Sequence, residues 1–159
     1  MITKKIITLT LLFCIFSCKK EALYQSYFDL NEQEWHADSI IKFETKITDT
    51  INDYDIFLKI RHTTKYKYQN LFVFITMLNE NNVVLRDTVE VYLHDKTGKP
   101  LGTGFGENRE FSYKIASNLS NLGSLTILLE QAMRYGNRTN IERLEYLRSI
   151  GVSIKKTDE

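Results

Sequence analysis

The fold class of this chain follows from one segment, Asn70-Leu71-Phe72-Val73-Phe74-Ile75-Thr76-Met77-Leu78. Every residue from 71 to 75 is apolar. An uninterrupted apolar run of this length is typical of a strand that is covered on both faces. We therefore predict that this segment is a central strand of a β-sheet, with both of its faces buried.

Shorter segments on either side of it alternate apolar and polar residues, as strands with one buried face do. They lie at 41–47, 54–61, 83–93, 111–115, 125–129 and 152–154. Seven or eight short strands predict an all-β domain, an antiparallel β-sandwich of the jelly-roll or immunoglobulin-like type. Only residues 140–149, with apolar side chains at helical offsets, allow a short helix near the C-terminus. Because the chain has a single proline, we expect charges such as Lys42, Lys46 and Lys59, or a strand of a partner, to protect the sheet edges.

The N-terminal residues have the pattern of a lipoprotein signal peptide. Lys4-Lys5 precede an apolar run at 6–16, and the lipobox Ile15-Phe16-Ser17-Cys18 follows. The run is about half of the ~20 residues that a transmembrane helix needs. We expect residues 1–17 to be cleaved, Cys18 to carry a covalent lipid, residues 18–31 to form a polar tether and residues 32–159 to form a single sandwich domain. An ordinary signal peptide, with an unmodified cysteine, is the alternative.

Composition and spacing favour a protein without catalytic chemistry. The 21 basic and 20 acidic residues create no field that would attract nucleic acid. His36, His62 and His94 lack metal-ligand spacing, and turn formation explains Asp49, Asp53 and Asp55 better than a calcium loop does. The sequence contains no Gly-x-Ser-x-Gly motif, and Glu44, Glu90 and Glu130 are interpreted as solvated or sheet-edge residues. We expect no enzyme activity, no metal and no cofactor other than the lipid.

A glycine-rich segment and two tyrosines are the candidate binding features. The segment 95–106 precedes a strand-like pattern rather than a helix, so no phosphate loop is implied. Its alternate glycines suit a chain that bends or that lies against another backbone. Phe105 either fills a pocket in its own domain or is presented to a partner. Tyr66 and Tyr68 either line the rim of the core or form an exposed surface for a sugar or a protein. The candidate partner-binding residues are therefore Tyr66, Tyr68 and Phe105.

Five segments together identify a family resemblance. They are Trp35-His36-x-Asp38-Ser39, Tyr68-x-Asn70-Leu71-Phe72-x-Phe74, Asp87-Thr88, Asp95-x-x-Gly98-x-x-Leu101-Gly102-x-Gly104-x-Gly106 and Gln131-Ala132-Met133-Arg134. With the lipobox, they resemble the gliding-motility lipoprotein GldH family of Bacteroidetes-type bacteria. The resemblance implies a cell-envelope lipoprotein needed for gliding, which acts with other gliding-motility lipoproteins and the linked type IX secretion apparatus. It implies no catalytic activity and no active site.

Two function classes remain open on these grounds. The first is a structural or assembly component of the gliding and secretion machinery. The second is a carbohydrate-binding lipoprotein that stacks sugars on Tyr66, Tyr68 and Tyr92. Residues Lys19-Lys20-Glu21-Ala22 lack the acidic run of lipoproteins exported to the cell surface in this bacterial group, and Lys19 is not the aspartate linked elsewhere to inner-membrane retention. We therefore expect anchoring in the outer membrane, with the domain facing the periplasm.

Overall fold

A computed structural model describes residues 22–134, 136 and 140–158. Ten strands lie within these residues, namely β1 (Tyr24–Asp29), β2 (Glu34–His36), β3 (Ile40–Ile47), β4 (Tyr54–Thr63), β5 (Asn70–Asn79), β6 (Asn82–Tyr92), β7 (Asn108–Leu119), β8 (Gly123–Gln131), β9 (Arg143–Glu145) and β10 (Leu147–Lys156). One 3₁₀ turn, Asn31–Gln33, follows β1, and no α-helix occurs among the described residues. The predicted all-β antiparallel sandwich is confirmed, with ten strands among the described residues instead of the seven or eight expected. The predicted signal peptide, 1–17, and Cys18 lie outside the described residues.

The strands form two four-stranded sheets and one small sheet. The strand order is β1-β10-β4-β7 in the first sheet and β3-β8-β5-β6 in the second, while β2 pairs with β9. All of these pairs are antiparallel. Alternate residues of the inner strands point into one shared core, as the period of two requires. Trp35 of β2 and Leu144 of β9 are opposite each other and fully buried at one end of that core.

Strand β5 is an inner strand of its sheet, but only one of its faces is buried. Leu71, Val73 and Ile75 are buried, whereas Phe72 is half-buried and Phe74 is 40% exposed. The prediction that both faces are covered is therefore wrong. An antiparallel sheet in a two-layer sandwich needs only one face against the core, and the other face contacts solvent.

The helix suggested for residues 140–149 does not form. This segment contains β9 and the start of β10, separated by Tyr146 in the left-handed region with φ of +68°. Leu144 and Leu147 are both fully buried. Their helical spacing misled the prediction because the turn at Tyr146 interrupts strand alternation and places both side chains in the core.

The domain begins earlier than the predicted boundary at residues 31 and 32. Residues 24–29, assigned to the tether, form strand β1, which pairs with β10 from Tyr24 opposite Ile154 to Asp29 opposite Ser149. Gly151 makes this pairing possible because a Cβ at that position would lie 2.5 Å from Cδ1 of Tyr27. Only the five residues 19–23 therefore separate Cys18 from the sandwich.

Two of the three lysines that were predicted to protect the sheet edges lie on an edge strand. Strands β1, β7, β3 and β6 are the sheet edges, and Lys42 and Lys46 project from the edge strand β3. Lys59 lies in the inner strand β4, so its assignment to an edge is wrong. Its ammonium group lies 3.6 Å from the carboxylate of Glu110 on the neighbouring strand β7.

The two ends of the sandwich differ in their loops. The proximal end contains Tyr24, the first residue of β1, and the connections 48–53, 80–81 and 120–122. The distal end contains Asp29, the last residue of β1, and the connections 64–69, 93–107 and 132–142. The longest connections of the fold are therefore collected at the distal end, opposite to the side on which the chain enters. None of the helical segments in the described chain is long and apolar enough to cross a membrane.

Candidate functional site

Tyr66, a predicted partner-binding residue, is not available to a partner. Its side chain is 4% exposed, its hydroxyl donates to the carbonyl oxygen of Asn70 at 3.1 Å, and its ring is parallel to that of His94 with centroids 6.3 Å apart. Burial raises the pKa of the Tyr66 phenol well above its ordinary value. The interpretation of Tyr66 as an exposed binding group is therefore wrong, because this residue supports the loops of the distal end from beneath.

Phe105 and Tyr68 lie nearer to the surface. Phe105 is 94% exposed, so the alternative in which it fills a pocket of its own domain is wrong. Tyr68 is half-buried, with its ring edge-on to Tyr66 at 5.7 Å between centroids. A role for either residue in binding a partner stays a prediction.

The glycine-rich segment folds back onto the start of β7. Thr103 and Glu110 exchange backbone hydrogen bonds of 2.9 and 2.7 Å. A Cβ at residue 102 would lie 2.5 Å from the carbonyl oxygen of Glu110, and one at residue 104 would overlap the carbonyl oxygen of Asn108. The predicted contact between these glycines and another backbone is confirmed. Glycine is needed there because it has no Cβ.

Between this segment and the end of β1 lies a cleft of about 520 Å³ at the distal end. One wall consists of Asp29, Leu30 and Gln33, and the opposite wall includes Thr103, Gly104 and Arg109. Its floor includes Arg61, His62 and Ser149. Charged side chains from four strands therefore meet in a single depression.

An ion-pair network occupies one side of the cleft. The Nε of Arg61 donates to Glu110 at 2.8 Å, the hydroxyl of Tyr27 donates to the same carboxylate oxygen at 3.1 Å, and the guanidinium group of Arg61 lies 3.8 Å above the centre of the Tyr27 ring. Burial by itself would raise the pKa of Glu110. The hydrogen bonds from Arg61 and Tyr27 and the charge of Lys59 outweigh it, so the pKa lies below its ordinary value. Glu110 is therefore a carboxylate that already has its partners.

Two further arginines have no such partner. Arg109 donates to the carbonyl oxygens of Gly106 and Asn108, each at 2.8 Å, and Arg148 donates to the side-chain oxygen of Asn108. Within the part of the chain that the structure describes, no carboxylate forms an ion pair with either guanidinium group. Asp29 is the one acidic group lining the cleft besides Glu110. Arg109 and Arg148 are thus held in place by neutral acceptors, which leaves their charge uncompensated.

His36 is a partly exposed strand-end residue, as the sequence suggested, but His62 and His94 are not surface residues. His62 is fully buried and His94 is 7% exposed, with ring centroids 5.8 Å apart. The ring nitrogens of His62 lie 3.1 Å from the carbonyl oxygen of Thr63 and 3.3 Å from that of Leu101. His62 therefore links the end of β4 to the glycine-rich segment. No cluster of three or more metal-ligating side chains occurs in the described ranges.

The buried His62 predicts a pH-dependent stability. Burial lowers its pKa, and the nearby charges of His94 and Arg109 lower it further. The unfolded chain then binds more protons than the native one below the ordinary value of about 6.5, so the free energy of unfolding should decrease from pH 7 to about 5.5. Urea titrations at a series of pH values measure this decrease, which His62→Gln should reduce.

His36→Gln is the matched control, because His36 is partly exposed at the edge of the small sheet. This variant should keep the full decrease in stability. An equal decrease in the wild type and in His62→Gln would contradict the assignment to His62.

Asp49 forms a turn at the proximal end, as predicted. Its carboxylate accepts hydrogen bonds from the backbone N–H of Ile51 at 2.9 Å, from the side chain of Asn52 at 2.7 Å and from the hydroxyl of Tyr54 at 2.8 Å. These bonds, that of Ile51 first, hold the pKa of Asp49 far below its ordinary value. Turn bonding therefore accounts for Asp49. It does not account for Asp55, which is buried in β4 and forms an ion pair with Lys114.

Comparison with known proteins supports the resemblance found in the sequence. The family model described as GldH lipoprotein matches residues 22–154, which include the whole sandwich except the last two residues of β10. The chain belongs to the GldH lipoprotein family. It is 34% identical over 145 residues to a gliding motility lipoprotein GldH homolog of Christiangramia forsetii, with 89% of this chain and 88% of that protein covered. It is 26% identical over 145 residues to the gliding motility lipoprotein GldH of Flavobacterium johnsoniae, with 91% of each covered.

One solved structure shares a weaker likeness with this GldH-family chain. Dimeric latent PorU from Porphyromonas gingivalis gives a TM-score of 0.33 at 9% identity, covering 88% of this chain and 14% of that one. A TM-score this low supports no conclusion about fold or function.

The segments that carry the family resemblance converge at the distal end. Trp35-His36 form part of β2, Tyr68 lies two residues before β5, and Asn70 begins that strand. The segment 95–106 contributes Thr103 and Gly104 to a wall of the cleft, and residues 131–134 include the end of β8 and the start of the connection after it. Only Asp87-Thr88 lie elsewhere, in the middle of β6. Sequence reasoning found this end through its glycines and aromatics. It missed the cleft because Arg61, Arg109 and Arg148 come from three distant parts of the chain.

Proposed function

We propose that this chain is a cell-envelope lipoprotein of gliding motility, a non-catalytic structural or assembly component linked to the type IX secretion machinery. The observation that carries the proposal is the family match over residues 22–154. Two relatives of the chain are named gliding motility lipoproteins, which agrees with it. Its partners would be other gliding-motility lipoproteins and components of the secretion machinery. The lack of a nucleophile motif in the sequence is consistent with a binding role.

The short connection to Cys18 supports a specific orientation. With a lipid on Cys18, five residues lead to Tyr24 at the proximal end, and the six Cα–Cα steps span at most about 20 Å. The proximal end would therefore lie near the membrane, and the distal end would point away from it. Anchoring in the outer membrane with the domain in the periplasm would present the long distal loops to an assembling complex.

Carbohydrate binding has less structural support. Sugar stacking needs exposed aromatic faces, but Tyr66 is buried and Tyr68 is half-buried. Tyr92 is 49% exposed, at the end of the edge strand β6. The three tyrosines do not form a continuous exposed platform, so we favour the structural role.

Deletion of the gene, followed by complementation, tests the proposed function. We expect the deletion to abolish surface spreading and to disturb secretion, and the wild-type chain to restore both. Cys18→Ala should fail to restore them and should take up no labelled fatty acid, because the thioether is the strong membrane attachment that the sequence provides.

Cys14→Ala is the matched control, since this cysteine lies within the expected signal peptide. It should restore spreading and be labelled. Normal spreading and secretion in a clean deletion would disprove the proposal, and labelling of Cys18→Ala would disprove the anchor. Protease treatment of intact cells tests the orientation, since digestion without permeabilisation would show a surface-exposed domain.

A further inference from the structure

We propose that the distal cleft binds an acidic peptide segment of a protein partner, with Arg109 and Arg148 pairing with its carboxylate groups and Phe105 contacting an adjacent apolar side chain. This inference rests on the proposed function, since it specifies the chemistry of the partner. It concerns a site that the family match does not assign.

The charge of the cleft is the first argument. Arg61 and Glu110 are paired with each other, so they contribute little net charge to a ligand. Arg109 and Arg148 are bonded only to neutral oxygens within the described chain. A guanidinium group presents several N–H donors in a planar fork that matches a carboxylate, and such charge-assisted bonds are the stronger ones in proteins. The two arginines are thus suited to an acidic ligand.

Both arginines lie at irregular points of the backbone, a β-bulge and a tight turn. Leu147 pairs with His62 and Ser149 with Arg61, so Arg148 is the extra residue of a β-bulge. A bulge redirects a side chain out of the regular ladder and is frequent beside binding sites. On the opposite wall, the close approach of Gly104 to the backbone of Asn108 holds the turn from which Arg109 projects. The backbone of both arginines is therefore held in place before a ligand arrives, which lowers the entropic cost of binding.

Two polar groups complete a site for a peptide backbone. Asp29 faces the cleft across from Arg109 and can accept a hydrogen bond from a peptide N–H. Ser149 belongs to the floor and is 1% exposed, and its hydroxyl is buried without a hydrogen-bond partner among the described residues. An unsatisfied buried hydroxyl has a free-energy cost that a ligand reaching it would remove. A donor and an acceptor beside two cations fit an acidic peptide better than a simple anion.

Phe105 supplies the apolar part of the surface. It is 94% exposed, and the adjacent Gly104 lines the cleft. The carbonyl oxygen of Phe105 accepts the N–H of Asn108 at 3.2 Å, which closes the turn that holds the side chain outward. An exposed phenylalanine on a turn beside a charged cleft is typical of an aromatic anchor at a protein interface.

Other anionic ligands fit less well. A polyphosphate chain has no N–H group to donate to the carboxylate of Asp29, whereas a peptide backbone does. The near-equal numbers of acidic and basic residues provide no field for nucleic acid. The cleft lies at the distal end, whereas the short connection to Cys18 enters at the proximal end. The lipid surface that holds the anchor is therefore on the wrong side for this cleft.

Selection from a phage library of random linear peptides tests the proposal, with the purified full-length chain in detergent as bait. We expect the enriched peptides to contain more aspartate and glutamate than the starting library, next to an apolar residue. A synthetic peptide with the enriched sequence should bind about tenfold more weakly to Arg109→Ala and to Arg148→Ala, and its binding should weaken with salt. Phe105→Ser should also weaken it.

Arg86→Ala is the matched control, because it removes an exposed arginine of β6 in the opposite sheet. It should leave peptide affinity unchanged. Arg148→Lys keeps the charge but loses the planar fork, so an intermediate affinity is expected. Thermal unfolding of each variant separates loss of binding from loss of fold.

No enrichment of acidic residues would overturn the proposal, as would unchanged affinity in both arginine variants with native folding. Preferential binding of the chain to vesicles containing anionic lipid, competing with the peptide, would also overturn it. These outcomes are independent of the deletion experiment. A chain that is needed for gliding but has no affinity for acidic peptides would keep the proposed function and lose only this inference.

Discussion

Replacing Trp35 with alanine is expected to lower the free energy of unfolding by about 3–5 kcal/mol. Trp35 is the largest of the fully buried side chains, and it lies opposite Leu144 in the small sheet that closes the distal end of the core. The substitution removes the apolar contacts of the indole and leaves a cavity that the short strands β2 and β9 cannot fill without losing their pairing. Urea unfolding followed by circular dichroism measures the change.

Trp35→Phe is the matched variant for this prediction. It keeps an aromatic ring in the core but loses the hydrogen bond from the indole Nε1 to the carbonyl oxygen of Ser39, which is 3.1 Å long. We expect a loss between about 1 kcal/mol for that bond and the alanine value. If the alanine variant were as stable as the wild type, Trp35 would not be a core residue and the position of the small sheet would be wrong.

Replacing Gly102 with alanine is expected to cost about 2–4 kcal/mol and to displace the segment 93–107. A Cβ at this position would lie 2.5 Å from the carbonyl oxygen of Glu110, and Gly102 has φ of +97°, where side chains are strained. The overlap cannot be relieved by a rotamer change, because the obstructing atom belongs to the backbone of β7. Relief requires breaking the paired hydrogen bonds between Thr103 and Glu110.

Gly106→Ala provides the comparison. Gly106 also has a positive φ, +61°, but nothing lies within 4 Å of a Cβ built there. Gly106→Ala should lower the free energy of unfolding by only about 1 kcal/mol, the cost of placing alanine in the left-handed backbone region. Chemical-denaturant unfolding of both variants measures the difference, and equal losses would show that the close approach at Gly102 has no energetic consequence.

The strands could be predicted from the sequence because period-two alternation is a local signal. Residues 41–47, 54–61 and 125–129 all lie within strands of the structure, and they show the pattern of a sheet with one face in the core. The alternation pattern gave wrong predictions where contacts between distant residues determine the local structure. Leu144 and Leu147 have helical spacing, but the turn at Tyr146 and pairing with β2 and β4 place them in strands. Residues 24–29 looked like a tether because the feature that admits them to the sheet is Gly151, more than a hundred residues away.

The candidate site was predictable only in part. Glycines at 102 and 104 indicated a backbone contact, and Phe105 stood out as an apolar residue between two glycines. Nothing in the sequence distinguished the exposed Phe105 from the buried Tyr66, since exposure depends on what packs nearby. The charged cleft left no local signal at all, because Arg61, Arg109 and Arg148 are brought together by the pairing of β4 with β7 and β10.

By itself the sequence determined the all-β class, the family and the pattern of a lipid anchor, because alternation, glycine spacing and the lipobox are properties of short stretches of chain. The tertiary structure alone decided that β1 joins the sheet and that Tyr66 is buried while Phe105 is exposed. It also brought Arg109 and Arg148, which form no ion pair with any carboxylate of the described residues, into one cleft with Asp29. These features depend on residues far apart in the chain. Only strand register and packing determine the distances between such residues, and those distances set both burial and electrostatic interaction.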